Sequence, residues 1–87
     1  MNVQREIRVV NRKGLHGRPA TVFAETASKH AGEVKVSYGS RTVNGKSLIA
    51  LMSIAVPRDG NVTVIVEGDT AESLLLELEG VLAKNYD

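Results

Sequence analysis

The sequence predicts an α+β (α/β) fold: an open-faced two-layer sandwich in the order β-α-β-β-α-β-α, its four-stranded sheet covered on one face by three helices. Two patterns predict it. Four short segments alternate apolar and polar residues, which leaves each with a single apolar face. Three others repeat apolar residues at spacings of three and four, the stripe of a helix lying on a core. Strands buried on both sides would be more continuously apolar, so a doubly wound sheet does not fit. At 87 residues the chain holds one core and not two, so a single domain over 1–87 is expected.

The first strand carries Val3, Ile7 and Val9 on one side and Gln4, Glu6 and Arg8 on the other. Asn11-Arg12-Lys13-Gly14 ends it. From about Gly17 to Lys29, the residues Ala20, Phe23, Ala24, Ala27 and Ala31 form one helix stripe. Pro19 suits the first turn, where its missing N–H costs nothing, and Gly32 is placed to stop the helix. Val34, Val36 and Tyr38 line the second strand, and Gly39-Ser40 turns into a short third strand ending near Val43. After the Asn44-Gly45 turn, Ser47 is placed as the N-cap of a short helix running through Leu48, Ile49, Ala50, Leu51, Met52 and Ile54. Pro57, Asp59 and Gly60 break the chain before Val62, Val64 and Val66 mark a fourth strand. The last helix shows Ala71, Leu74, Leu75, Leu78, Val81 and Leu82 on one face. Asp69 and Glu72 have capping-box spacing, with Thr70 a competing cap; Lys84 near the end matches the helix dipole. Periodicity does not show which strand neighbours which.

Composition excludes several function classes. The chain has no cysteine, so disulfides, thiol chemistry and thiolate metal sites are out. No apolar run approaches the roughly 20 residues of a membrane span, and Met1-Asn2-Val3-Gln4 does not open a signal peptide. A cytoplasmic protein with no membrane insertion is expected. The formal net charge of +1 hides a division: ten Lys/Arg against three Asp/Glu in residues 1–58, one against seven in 59–87. The basic side suits an anionic ligand or partner. With two tyrosines, one phenylalanine and no tryptophan, the chain lacks the stacking platform of a nucleic-acid binder, and no direct nucleic-acid contact is expected.

The chemistry concentrates in Gly14-Leu15-His16-Gly17-Arg18-Pro19. Flanking glycines leave His16 accessible. The free N–H groups of the helix starting beside it form an anion site, and the Arg18 guanidinium can grip phosphate oxygens. A neutral imidazole there keeps a lone pair on one ring nitrogen and can act as a nucleophile. On residue types alone, a loop histidine beside a solvated arginine remains open as an alternative. His30 falls at the far end of the first helix, as a capping or solvent-facing residue. It stands roughly 20 Å from His16 along largely helical chain, so no metal site is expected. The long glycine loop with Lys-Ser/Thr of a nucleoside triphosphate site is missing. Ser47 has the ordinary role of an N-cap. Leu48, Ile49, Leu51, Met52 and Ile54 span more of their helix than one core stripe needs, so some should be exposed as an apolar docking patch beside the charged site.

Gly-Leu-His-Gly-Arg-Pro-Ala at 14–20 closely resembles the active-site motif of the histidine-containing phosphocarrier (HPr) family of the bacterial sugar phosphotransferase system. Ala27-Ser28-Lys29, Val43-Asn44-Gly45-Lys46-Ser47 and Leu48-Ile49-Ala50-Leu51-Met52-Ser53 extend the resemblance over essentially the whole chain. It implies an antiparallel sheet and a relay protein, not a stand-alone enzyme. His16 would take a phosphoryl group on Nδ1 from phosphorylated enzyme I, which is magnesium-dependent in the family, and pass it to a histidine of sugar-specific IIA domains. Arg18 and the backbone N–H groups of Gly17 and Arg18 would hold the phosphate, Leu48, Ile49 and Met52 would dock partners, and this chain would carry no cofactor or metal. Ser47 falls on the serine that an HPr kinase/phosphorylase modifies in some lineages, where the modified form partners a catabolite-control repressor. The family usually has alanine at the position of Gly17, which puts the rigidity of the loop in question and not the nucleophile. A monomer is expected, since the apolar patch already has a transient use.

Overall fold

The computed structural model describes residues 2–86, so Met1 and Asp87 of the expected 1–87 domain lie outside the described residues. Its elements are β1 (Asn2–Arg8), α1 (Arg18–Ser28), β2 (Val34–Tyr38), β3 (Arg41–Asn44), α2 (Leu48–Ser53), β4 (Asn61–Glu67) and α3 (Ala71–Leu82). The predicted order holds. The four strands form one antiparallel sheet in the order β1-β4-β2-β3.

β4 enters between β1 and β2, which sets the core. Val66 pairs with Val3 on one side and Val34 on the other, while Val64 faces Val36 across the β2–β4 pair. Val34, Val36, Val62, Val64 and Val66 are buried beneath the helices with Phe23, Ala27, Leu51, Leu75, Leu78 and Leu82. Arg5 shares the parity of Val3 and Ile7 and reaches across to α3, where its guanidinium donates to Glu79 Oε1 at 2.6 Å. The opposite sheet face carries Gln4, Glu6, Lys35, Ser37 and Thr63, exposed or half-buried. That polar face is why one helical layer suffices. None of the helices among the described residues is long and apolar enough to cross a membrane.

Four local expectations are corrected. α1 ends at Ser28 with Lys29 as its cap, so Ala31 lies beyond the helix and is exposed instead of continuing the stripe. Gly32 is not the helix stop; a Cβ there would lie 1.9 Å from the Glu67 carbonyl oxygen, so the residue serves a close approach of two backbones. The Asp69–Glu72 capping box does not form. Thr70 is the N-cap of α3 but makes no side-chain cap bond, because its hydroxyl faces His30 Nδ1 at 3.3 Å. His30 is not the cap of α1 and is half-buried, with its ring in use: its Nε2–H donates to the Glu67 carbonyl at 2.6 Å, and the ring ties the end of α1 to the β4–α3 junction. Lys84 lies past the α3 cap, its Nζ 5.1 Å from the centre of the Tyr86 ring.

Candidate functional site

The loop between β1 and α1 is built to turn one side chain outward. Leu15 is its anchor, 1% exposed, with its N–H donating to the Val56 carbonyl at 3.0 Å. Gly14 makes that approach possible: it has φ +77°, and a Cβ there would lie 2.2 Å from the Val56 carbonyl oxygen. With Leu15 pinned inward, His16 emerges exposed, its own N–H held by the Gly14 carbonyl at 3.0 Å. Gly17 and Arg18 are exposed beside it.

α1 begins immediately after. Gly17 is its N-cap and Pro19 occupies the first turn. The helix ladder opens with the Thr21 N–H on the Gly17 carbonyl at 3.0 Å, and the Thr21 hydroxyl donates to the same oxygen at 3.0 Å. Among the described residues the N–H groups of Gly17 and Arg18 have no backbone acceptor, so they stand as open donors at the positive end of the helix dipole. An exposed imidazole, two open N–H groups and an exposed guanidinium occupy three consecutive residues. Such a set can receive a phosphoryl group, spread its charge over fixed donors and release it, because nothing encloses it.

Ser47 lies elsewhere. Its hydroxyl accepts from the Ala50 N–H at 3.2 Å, capping α2. The preceding Lys46 is held at the far end of α1: its carbonyl accepts from Ser28 Oγ at 3.5 Å and its Nζ donates to the His30 carbonyl at 2.6 Å. The other end of α2 leads through Val56 to Leu15. α2 therefore runs back along α1, and the His16 loop adjoins its Met52–Val56 end, not its Ser47 end. Ile49 is 79% exposed while Leu51 and Ile54 are buried; Leu48 and Met52 are half-buried against the core. Part of the helix face is open, as its composition predicts.

Two contributors to the site carry little sequence signal. Asn11 reads as a turn residue, yet its side chain is only 2% exposed. It donates through Nδ2 to the Gly14 carbonyl at 3.1 Å and accepts at Oδ1 from the Tyr86 N–H at 2.9 Å. Tyr86 follows the last helix without any periodic pattern. Burial pushes its phenol pKa above the ordinary 10.0, with the Arg18 charge pulling the other way, and its N–H bond to Asn11 is what brings the C-terminal segment to the loop. The Asn-x-x-Gly spacing of a turn hints at Asn11; nothing local hints at Tyr86.

A family model described as the phosphorylation site of the PTS HPr component matches residues 3–84. Among solved structures, the phosphocarrier protein HPr of Bacillus anthracis strain Ames is 31% identical, with 93% of this chain and 96% of that chain covered and a TM-score of 0.88. HPr-C-His from Thermoanaerobacter tengcongensis is 33% identical over 93% of this chain and 91% of that one, with a TM-score of 0.89. The catabolite-repression protein Crh of Bacillus subtilis, described as a domain-swapped dimer, is 32% identical over 93% of each chain, with a TM-score of 0.74.

Proposed function

We propose a two-step relay through His16, on the premise that the chain belongs to the PTS HPr family and is a phosphocarrier of the phosphotransferase system. The observation that carries the proposal is the exposed His16 set directly before the open N–H groups and guanidinium at the start of α1. In the first step the Nδ1 lone pair of neutral His16 attacks the phosphorus held by phosphorylated enzyme I. An N–P bond forms, the bond to enzyme I breaks and its electron pair leaves with enzyme I, while the Nε2 proton stays in place. The second step reverses these roles toward a histidine of a sugar-specific IIA domain.

Phosphoryl transfer leaves the protein little covalent work beyond positioning and charge stabilisation. Arg18 and the Gly17 and Arg18 N–H groups meet the oxygens in both steps. A shallow site favours this task, since holding the phosphohistidine too tightly would trap it. Ile49, with Leu48 and Met52 at the edge of its patch, docks the two partners in turn, and the chain acts as a cytoplasmic monomer that is consumed and regenerated.

Incubation with phosphoenolpyruvate, magnesium and enzyme I should give a modification that is acid-labile and base-stable, and His16→Ala should abolish it. A wild-type protein that takes no phosphoryl group from a competent enzyme I would overturn the relay.

A second reading concerns Ser47. Its half-buried hydroxyl caps α2 away from His16, so a dianion there would act on the apolar patch and repel a phosphorylated partner without touching the imidazole. An HPr kinase/phosphorylase with ATP should then modify the wild type and leave Ser47→Ala untouched; the modified form would suit a catabolite-control repressor.

A further inference from the structure

We propose that Asn11 is a positioning residue for the phosphoryl-accepting loop, clamping the C-terminal segment onto the backbone that holds His16. The proposal deepens the relay reading and rests on it. Among the described residues Asn11 is the single polar side chain buried in the core. Burying a carboxamide is costly unless both ends are satisfied, and here both are. The partners also fix its orientation: the Gly14 carbonyl can only accept and the Tyr86 N–H can only donate, so Nδ2 faces one and Oδ1 the other. Aspartate would turn a second oxygen onto the Gly14 carbonyl, and an apolar residue would leave both groups short of a partner.

The bonds are connected in series. The Gly14 carbonyl that accepts from Asn11 also accepts from the His16 N–H. The Asn11 carbonyl accepts from the Gly14 N–H at 2.8 Å, closing the turn. From the other side, Val10 N–H donates to the Leu82 carbonyl at 3.2 Å and Arg12 N–H to Asn85 Oδ1 at 3.4 Å. Tyr86 is fixed again through its hydroxyl, which donates to the Val81 carbonyl at 3.2 Å. The segment leaving α3 thus straps the loop, and Asn11 is the side chain through which the strap reaches His16. In-line transfer is sensitive to displacements of about 1 Å, so a loosened loop should lose rate before it loses binding.

Initial rates of phosphorylation by phospho-enzyme I, normalised to the folded fraction, test this. Asn11→Ala should lower kcat by about tenfold while KM stays within about twofold. Tyr86→Pro should slow transfer more than Tyr86→Ala, because both lose the half-buried ring and only proline also removes the N–H that Asn11 accepts. The double variant Asn11→Ala/Tyr86→Pro should be no slower than Asn11→Ala alone. The His16 amide resonance should move in Asn11→Ala and in Tyr86→Pro. A wild type that is phosphorylated together with an Asn11→Ala protein of equal kcat, or one changed only in KM, overturns the clamp and leaves the relay standing. Equal rates for Tyr86→Pro and Tyr86→Ala overturn it too. A wild type that takes no phosphoryl group brings down the relay, and the clamp with it.

Discussion

Gly17 has φ +62° and ψ −125°, a conformation that costs an L side chain and costs glycine almost nothing. Nothing lies within 4 Å of a Cβ built there, so the constraint is in the backbone and not in the packing. The resemblance to a family that usually has alanine at this position raises the question of rigidity, and the geometry answers it: glycine lets the loop reach the start of α1 without strain. Gly17→Ala should therefore lower stability by about 1–2 kcal/mol. Thermal unfolding would register this as a fall in Tm, and no steric clash would need relief. An unchanged Tm, with the His16 amide shift also unchanged, would mean the loop tolerates alanine in another conformation.

α2 shows how one hydroxyl governs a whole element. Its six residues are too few to stand as an isolated helix, so the element depends on the buried Leu51 and on its cap. Removing the Ser47 Oγ that accepts from Ala50 N–H should cost about 1 kcal/mol, seen as a lower urea midpoint for Ser47→Ala at an unchanged m-value. This cap and the start of α2 were legible in the sequence because both partners lie within three residues. The end of α1 was not. Ala31 continues the spacing of Ala27, but the chain has left the helix by then: the His30 ring is held by Glu67 and Thr70, 37 and 40 residues away. The same contact occupies the Thr70 hydroxyl, which is why the cap expected at α3 is missing. His16, Arg18 and the helix start beside them were readable together because they are consecutive; Asn11 was not, since its importance rests on a residue 75 positions away.

At the scale of the molecule, the strand order β1-β4-β2-β3 has no local signature, because every strand shows the same alternation and the choice of neighbour belongs to the assembled core. The closing of the chain on itself is equally non-local. Tyr86 brings the C-terminal segment back to the loop after β1 and stays hydrogen-bonded through its neutral hydroxyl. This gives the fold a dependence on alkaline pH whose sign follows from the raised phenol pKa, caused first by burial and opposed by Arg18. Below the ordinary value of 10.0 the phenol is protonated in both folded and unfolded chains, and its contribution is fully present. As pH rises past that value the unfolded chain ionises first, so stability falls until the folded-state pKa is passed. Tyr86→Phe removes this ionisation. Urea titrations on either side of about pH 10 should show a smaller loss of stability in Tyr86→Phe than in the wild type. Equal losses in the two proteins would mean that the phenol ionises as freely in the folded chain as in the unfolded one, and the strap would then place no demand on its protonation.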